Sequence, residues 1–100
     1  MKYLCKFMFE GKEGYLSLVK KDDVYFALVE NQTPKIVYAR ECGKLSLSFD
    51  LKQSTYSEFK VSVIDDQKLV QWVFEELKNA NNLYFKEIND QLSVLEINTK

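Results

Sequence analysis

The densest chemistry in the chain is the triplet Thr33-Pro34-Lys35. Threonine is a strong helix N-cap, and proline is suited to the first helical position. Gly43 fits the left-handed position that ends a helix. The spacing therefore predicts a short helix that starts at Thr33-Pro34 and stops at Gly43, with Ile36, Val37 and Ala39 or Arg40 defining its faces. Lys35 then falls in the first turn, where a cation faces the positive end of the helix dipole at a cost of a few tenths of a kcal/mol. That placement makes sense if an anion docks there, because exposed helix N–H groups, the Thr33 hydroxyl and the Lys35 ammonium would form a compact phosphate site. A solvated Lys35 is the competing reading.

Other chemistry is thin. The chain has no histidine, which excludes Ser/His and Cys/His nucleophile pairs and zinc sites built on imidazole. A metal would need carboxylates alone, and no EF-hand spacing is present, so no metal site is expected. The adjacent pairs Asp22-Asp23, Asp65-Asp66 and Glu75-Glu76 read as solvated or capping residues, not as acid/base machinery. Cys5 and Cys42 each lie in an apolar stretch and read as buried, reduced thiols. Catalysis in such a chain would depend on a cofactor.

The elements that must position Thr33 and Lys35 follow from periodicity. Residues 3–10 alternate, with Tyr3, Cys5, Phe7 and Phe9 on one face, and form a strand. Residues 11–14 supply turn chemistry, and a second strand runs over 15–20. A polar loop over 20–23 leads to a third strand at 24–29, apolar on both faces and therefore covered on both. Beyond the helix, residues 44–51 alternate with Leu45, Leu47, Phe49 and Leu51 inward. Residues 56–64 alternate with Phe59, Val61 and Val63 on one face. Asp65-Asp66 supplies an N-cap for an amphipathic helix over 66–79, carrying Leu69, Val70, Val73, Phe74 and Leu77 at helical spacing. A final hairpin is expected from 83–88 and 92–97.

The order β-β-β-α-β-β-α-β-β, mostly antiparallel with short connections, favours a mainly β fold: a small antiparallel split barrel with two inserted helices. One hundred residues suit one domain, 1–100. The chain is 46% apolar, 14% aromatic and 29% charged, with a formal net charge of −1. With no basic stripe, nucleic acid is not an expected partner. No apolar run is long enough to span a membrane, and no secretory leader is evident, so a cytoplasmic protein is expected. So small a barrel would bury its exposed strand faces by forming a homodimer.

The run of residues 24–29, Thr33-Pro34-Lys35, and 44–49 (KLSLSF) resembles the middle of the pyridoxamine 5′-phosphate oxidase-like, FMN-binding split barrels. Val63-Ile64-Asp65, Trp72-Val73 with Leu77, and residues 83–97 are similar to the downstream portion of that family. The resemblance implies a homodimer with FMN in grooves between subunits, with Lys35 on the flavin phosphate, Thr33 beside it, and Ser57 near the same phosphate. Tyr15, Tyr25, Phe26 and Trp72 could line the flavin, although core packing suits each of them as well. A flavin-dependent oxidoreductase of unspecified substrate is the function implied. The chain departs from the family at Leu28-Val29, where a Thr or Ser is usual, and at residues 15–20, which lack an arginine. Those departures favour the alternative: a non-enzymatic dimeric barrel that has lost FMN and binds another anionic ligand or a protein partner. A third reading is an unrelated α+β domain that pairs a sheet edge with a partner.

Overall fold

A computed structural model describes residues 2–52 and 55–99. Among them, six strands and two helices run in the order β1 (Tyr3–Phe9), β2 (Lys12–Lys21), β3 (Val24–Glu30), α1 (Pro34–Cys42), β4 (Lys44–Ser48), β5 (Ser57–Ile64), α2 (Gln67–Asn79) and β6 (Leu92–Asn98). All these strand pairs are antiparallel, and the sheet closes in the order β1-β2-β3-β6-β5-β4. The mainly β barrel with two helices expected from the sequence is what forms.

Local chemistry sets the turns. Phe9 pairs with Lys12, so the first hairpin loop is Glu10-Gly11, with positive φ at both residues. Two left-handed residues match a type I′ turn, whose twist suits the flanking strands. The turn therefore lies earlier than residues 11–14, and Gly14 belongs to β2. The second hairpin turns on Asp22-Asp23, with Lys21 opposite Val24. β4 stops at Ser48 because the Ser48 hydroxyl bonds back to the Asp50 backbone and the Asp50 carboxylate accepts from the Lys52 N–H. These side-chain bonds offer the backbone a turn instead of a ladder. Leu51, expected inward, is consequently exposed.

The core has two parts separated by the barrel wall. Inside lie Cys5, Leu16, Leu18, Ala27, Leu45 and Leu47 with their neighbours, and α1 adds Ile36 and Ala39. Outside, α2 presses Val70, Val73, Phe74 and Leu77 onto Leu28, Leu92 and Val94. β3 is thus covered on both faces, which explains its unbroken apolar sequence.

Both helices are closed by the residues their caps demand. Gly43 takes a left-handed conformation (φ 70°), and its N–H donates to the Ala39 carbonyl at 2.8 Å. Asp66 caps α2 by accepting from the Lys68 N–H. At the other end Asn81 is left-handed (φ 54°), and the Asn81 and Asn82 N–H groups donate to the Lys78 and Leu77 carbonyls, a Schellman arrangement.

Three expectations are corrected. Residues 83–88 form no strand: β6 is bonded to β3 on one side and β5 on the other, so it has no open edge left to pair with. Leu83, Phe85 and Ile88 pack instead against the outer cluster. Cys42 is exposed although it shares the face of buried Ile36 and Ala39, because it is the last residue of α1, where the helix ends at Gly43; Cys5 is buried as expected. Asp65 neither caps nor points freely into water. Its carboxylate receives both Arg40 guanidinium nitrogens, at 2.8 and 3.0 Å, and the Ser93 hydroxyl at 2.5 Å. The link ties the last turn of α1 to the start of β6. Among the described residues, no helix is long and apolar enough to cross a membrane.

Candidate functional site around Lys35

The site begins where β3 ends. Thr33 has extended backbone geometry (φ −74°, ψ 149°), Pro34 occupies the first helical turn, and no acidic residue stands in that turn. The Thr33 hydroxyl donates to the Glu30 carbonyl at 3.0 Å. It therefore braces the β3–α1 connection rather than capping the helix amides. Nearby, the Asn31 N–H donates to the Gln91 carbonyl at 2.8 Å and its side-chain amide donates to the buried Ser93 hydroxyl at 3.0 Å. These bonds fix the entry angle of α1, and hence where its first turn points.

Lys35 does not dangle in water. Its ammonium lies 4.7 Å from the centroid of the Phe7 ring, a cation–π contact of about 1 kcal/mol. Phe7 can offer its ring there because of its strand partner. It pairs with Gly14, and a Cβ on Gly14 would come within 2.5 Å of the Phe7 ring. The missing side chain of Gly14 gives the ring a flat bed. This contact offsets the dipole cost inferred for Lys35 from the sequence. Burial lowers the Lys35 pKa, and the Glu30 carboxylate opposes that shift. An ammonium partly stripped of water gains more from an arriving anion than a fully hydrated one does.

Two cavities flank this pair. One, of about 400 Å³, is lined by Tyr15, Glu30, Tyr84 and Phe85 with Phe7 and Lys35. The other, of about 490 Å³, is lined by Phe9, Lys12, Glu13 and Pro34, again with Phe7 and Lys35. Thr33 borders both. Tyr15 and Tyr84 are 63% and 82% exposed, so two large rings at the first cavity stand with most of their surface open.

Thr33 and Lys35 are therefore brought together. Ser57 opens β5 opposite Leu47, exposed, and lines neither cavity. Of the aromatics singled out from the sequence, Tyr15 faces the site. Tyr25 packs with Tyr3 and Phe49, and Phe26 meets Trp72 edge-on at 5.8 Å beneath α2. Phe7, Gly14, Glu30, Tyr84 and Phe85 join the site unannounced by any motif. The Phe7–Gly14 pairing alone had a signal, since an Asx- or Gly-type hairpin turn fixes the register of its strands. A further cavity of about 480 Å³ lies between β2 and α2, where Lys21 sits 5.4 Å from the Trp72 ring and Lys20 5.7 Å from Tyr25. No cluster of three or more Asp, Glu or Cys suited to a metal occurs among the described residues.

No protein-family profile matches the sequence, and no curated protein sequence matches it. The fold does have a counterpart among solved structures. A crystal structure from Listeria innocua, described as a candidate pyridoxamine 5′-phosphate oxidase, superposes with a TM-score of 0.59 over 96% of this chain and 81% of that one, at 12% sequence identity. At that identity the likeness is one of fold, and this chain is built as the same kind of small barrel as the Listeria protein.

Proposed function

We propose that the protein is a cytoplasmic flavin-binding split barrel that holds FMN beside α1 and acts as a homodimer. The observation carrying this reading is Lys35: a half-buried ammonium, set in a first helical turn without acidic residues, bordering a cavity walled by aromatic rings. A volume of about 400 Å³ falls within the range of sites for small ligands and cofactors. Lys35 would meet the phosphate, with Thr33 beside it bracing the turn that presents the ammonium, while Tyr15, Tyr84 and Phe85 would cover the ring system and exclude water. FMN bound there would supply hydride and single-electron chemistry that no side chain of this chain can provide. The exposed Leu4, Tyr15 and Tyr84 give a second copy apolar surface to cover, which supports the dimer.

Titration with FMN, followed by quenching of its fluorescence, tests the reading. Saturable binding at micromolar concentration is expected, with the loaded sample sedimenting at twice the 11.8 kDa chain mass. Lys35→Met removes a charge-assisted contact and should weaken binding by about 10- to 100-fold. A colourless protein that leaves FMN fluorescence unchanged at tens of micromolar refutes it. One observation favours the other outcome, a barrel that binds a different anion or a protein partner without flavin. The carboxylate of Glu30 and the Phe7 ring already attend Lys35.

A further inference from the structure

The position of Lys35 relative to the two cavities carries an inference about the ligand's shape, one that rests on the flavin reading above. A cation that receives the terminal phosphate of a mononucleotide needs one cavity beside it. Lys35 has two, of about 400 and 490 Å³, and the residues common to both are Phe7, Thr33 and Lys35. The Lys35–Phe7 contact is thus a partition across one longer groove. A phosphate draws an ammonium more strongly than an aromatic face does, so an anion arriving at this point would lift Lys35 from the ring and join the two arms.

We infer that the ligand carries its phosphate in the middle: a flavin linked through a phosphodiester or pyrophosphate to a second flat group. The flavin ring takes the arm with Tyr15, Tyr84 and Phe85, and the second group takes the arm with Phe9 and Pro34. Lys12 lines that outer arm and is exposed. It supplies a second cation for a second phosphate. The carboxylates there suit the same ligand. Glu13 is engaged by the Tyr56 hydroxyl and lies 3.9 Å from the Lys6 ammonium. Glu10 lines the same arm and would accept from an exocyclic amino group.

FAD and FMN are the probes, titrated calorimetrically into the wild type and Lys12→Ala. FAD should bind at least about tenfold more tightly than FMN, a difference of about 1.4 kcal/mol. Lys12→Ala, at an exposed strand position that leaves the fold intact, should erase most of that advantage and leave FMN affinity within about twofold. FMN binding as tightly as FAD overturns the inference while leaving the flavin reading in place. An FAD advantage untouched by Lys12→Ala overturns the assignment of the outer arm. If neither flavin binds, both readings fall together.

Discussion

Replacing Asp65 by Asn tests how α1 is anchored. The carboxylate takes two hydrogen bonds from Arg40 and one from Ser93. Those bonds, Arg40 first, hold its pKa at about 2 instead of the ordinary 3.8. At full strength such a difference corresponds to about 2.4 kcal/mol of stability. The Arg40 and Asp65 side chains are 42% and 59% exposed, so solvent screening reduces the figure to about 1 kcal/mol. The sign follows from the depressed pKa. The contribution is complete above the pKa of the unfolded chain, near pH 4, and is lost as pH falls through about 2. Arg40 stays charged throughout and adds no slope of its own. Urea unfolding followed by Trp72 fluorescence at intervals from pH 6 to pH 2 supplies the assay. Asp65→Asn should lose about 1 kcal/mol at pH 6 and converge on the wild type near pH 2. A variant whose stability runs parallel to the wild type across that range would refute the reasoning, since the ion pair would then contribute nothing that titrates.

Two further outcomes are expected. Gly14→Ala places a methyl group about where the Phe7 ring lies, 2.5 Å from its Cζ; it should cost about 1–3 kcal/mol in chemical denaturation. The two thiols should react in separate phases with an aromatic disulfide reagent at pH 8. Cys42 is exposed and should label at once, whereas Cys5 is buried, its pKa pushed up to about 12 by desolvation, and should label only as the chain unfolds.

Much of the fold was legible because its signals are local. The alternation of β1, β4 and β5, the helical spacing of α2 and the Pro34 and Gly43 boundaries of α1 each lie within a short stretch. The unbroken apolar run of β3 correctly implied cover on both faces. Residues 83–88 misled because their composition is that of a strand, and nothing within them says that β6 already has both neighbours. Asp65 misled for a similar reason: its partners Arg40 and Ser93 lie on other elements, so its sequence neighbour Asp66 suggested a shared capping role. The candidate site divides the same way. Thr33 and Lys35 were readable from helix-start chemistry; Glu30 lies only five residues before Lys35 but carries no motif, and Phe7, Tyr84 and Phe85 come to the site from elements distant in sequence. The awkward position of Lys35 was visible in the sequence, and the Phe7 ring that relieves it was not. Closure of the sheet was expected from the short antiparallel strands and two inserted helices, and it leaves the described strands no edge to lend to a partner.

The same closure dictates the order in which the molecule can assemble. Val24 must meet Asn98, and Lys6 must meet Ser48, before the wall is continuous. Such distant pairings cost chain entropy before they return any contact energy, and folding dominated by them takes milliseconds to seconds. The β1–β2–β3 hairpins can form early, as can α2. Among the described strands, β6 is the one that two others wait for, so a nascent chain carries two open strand edges, on β3 and β5, until β6 has been made.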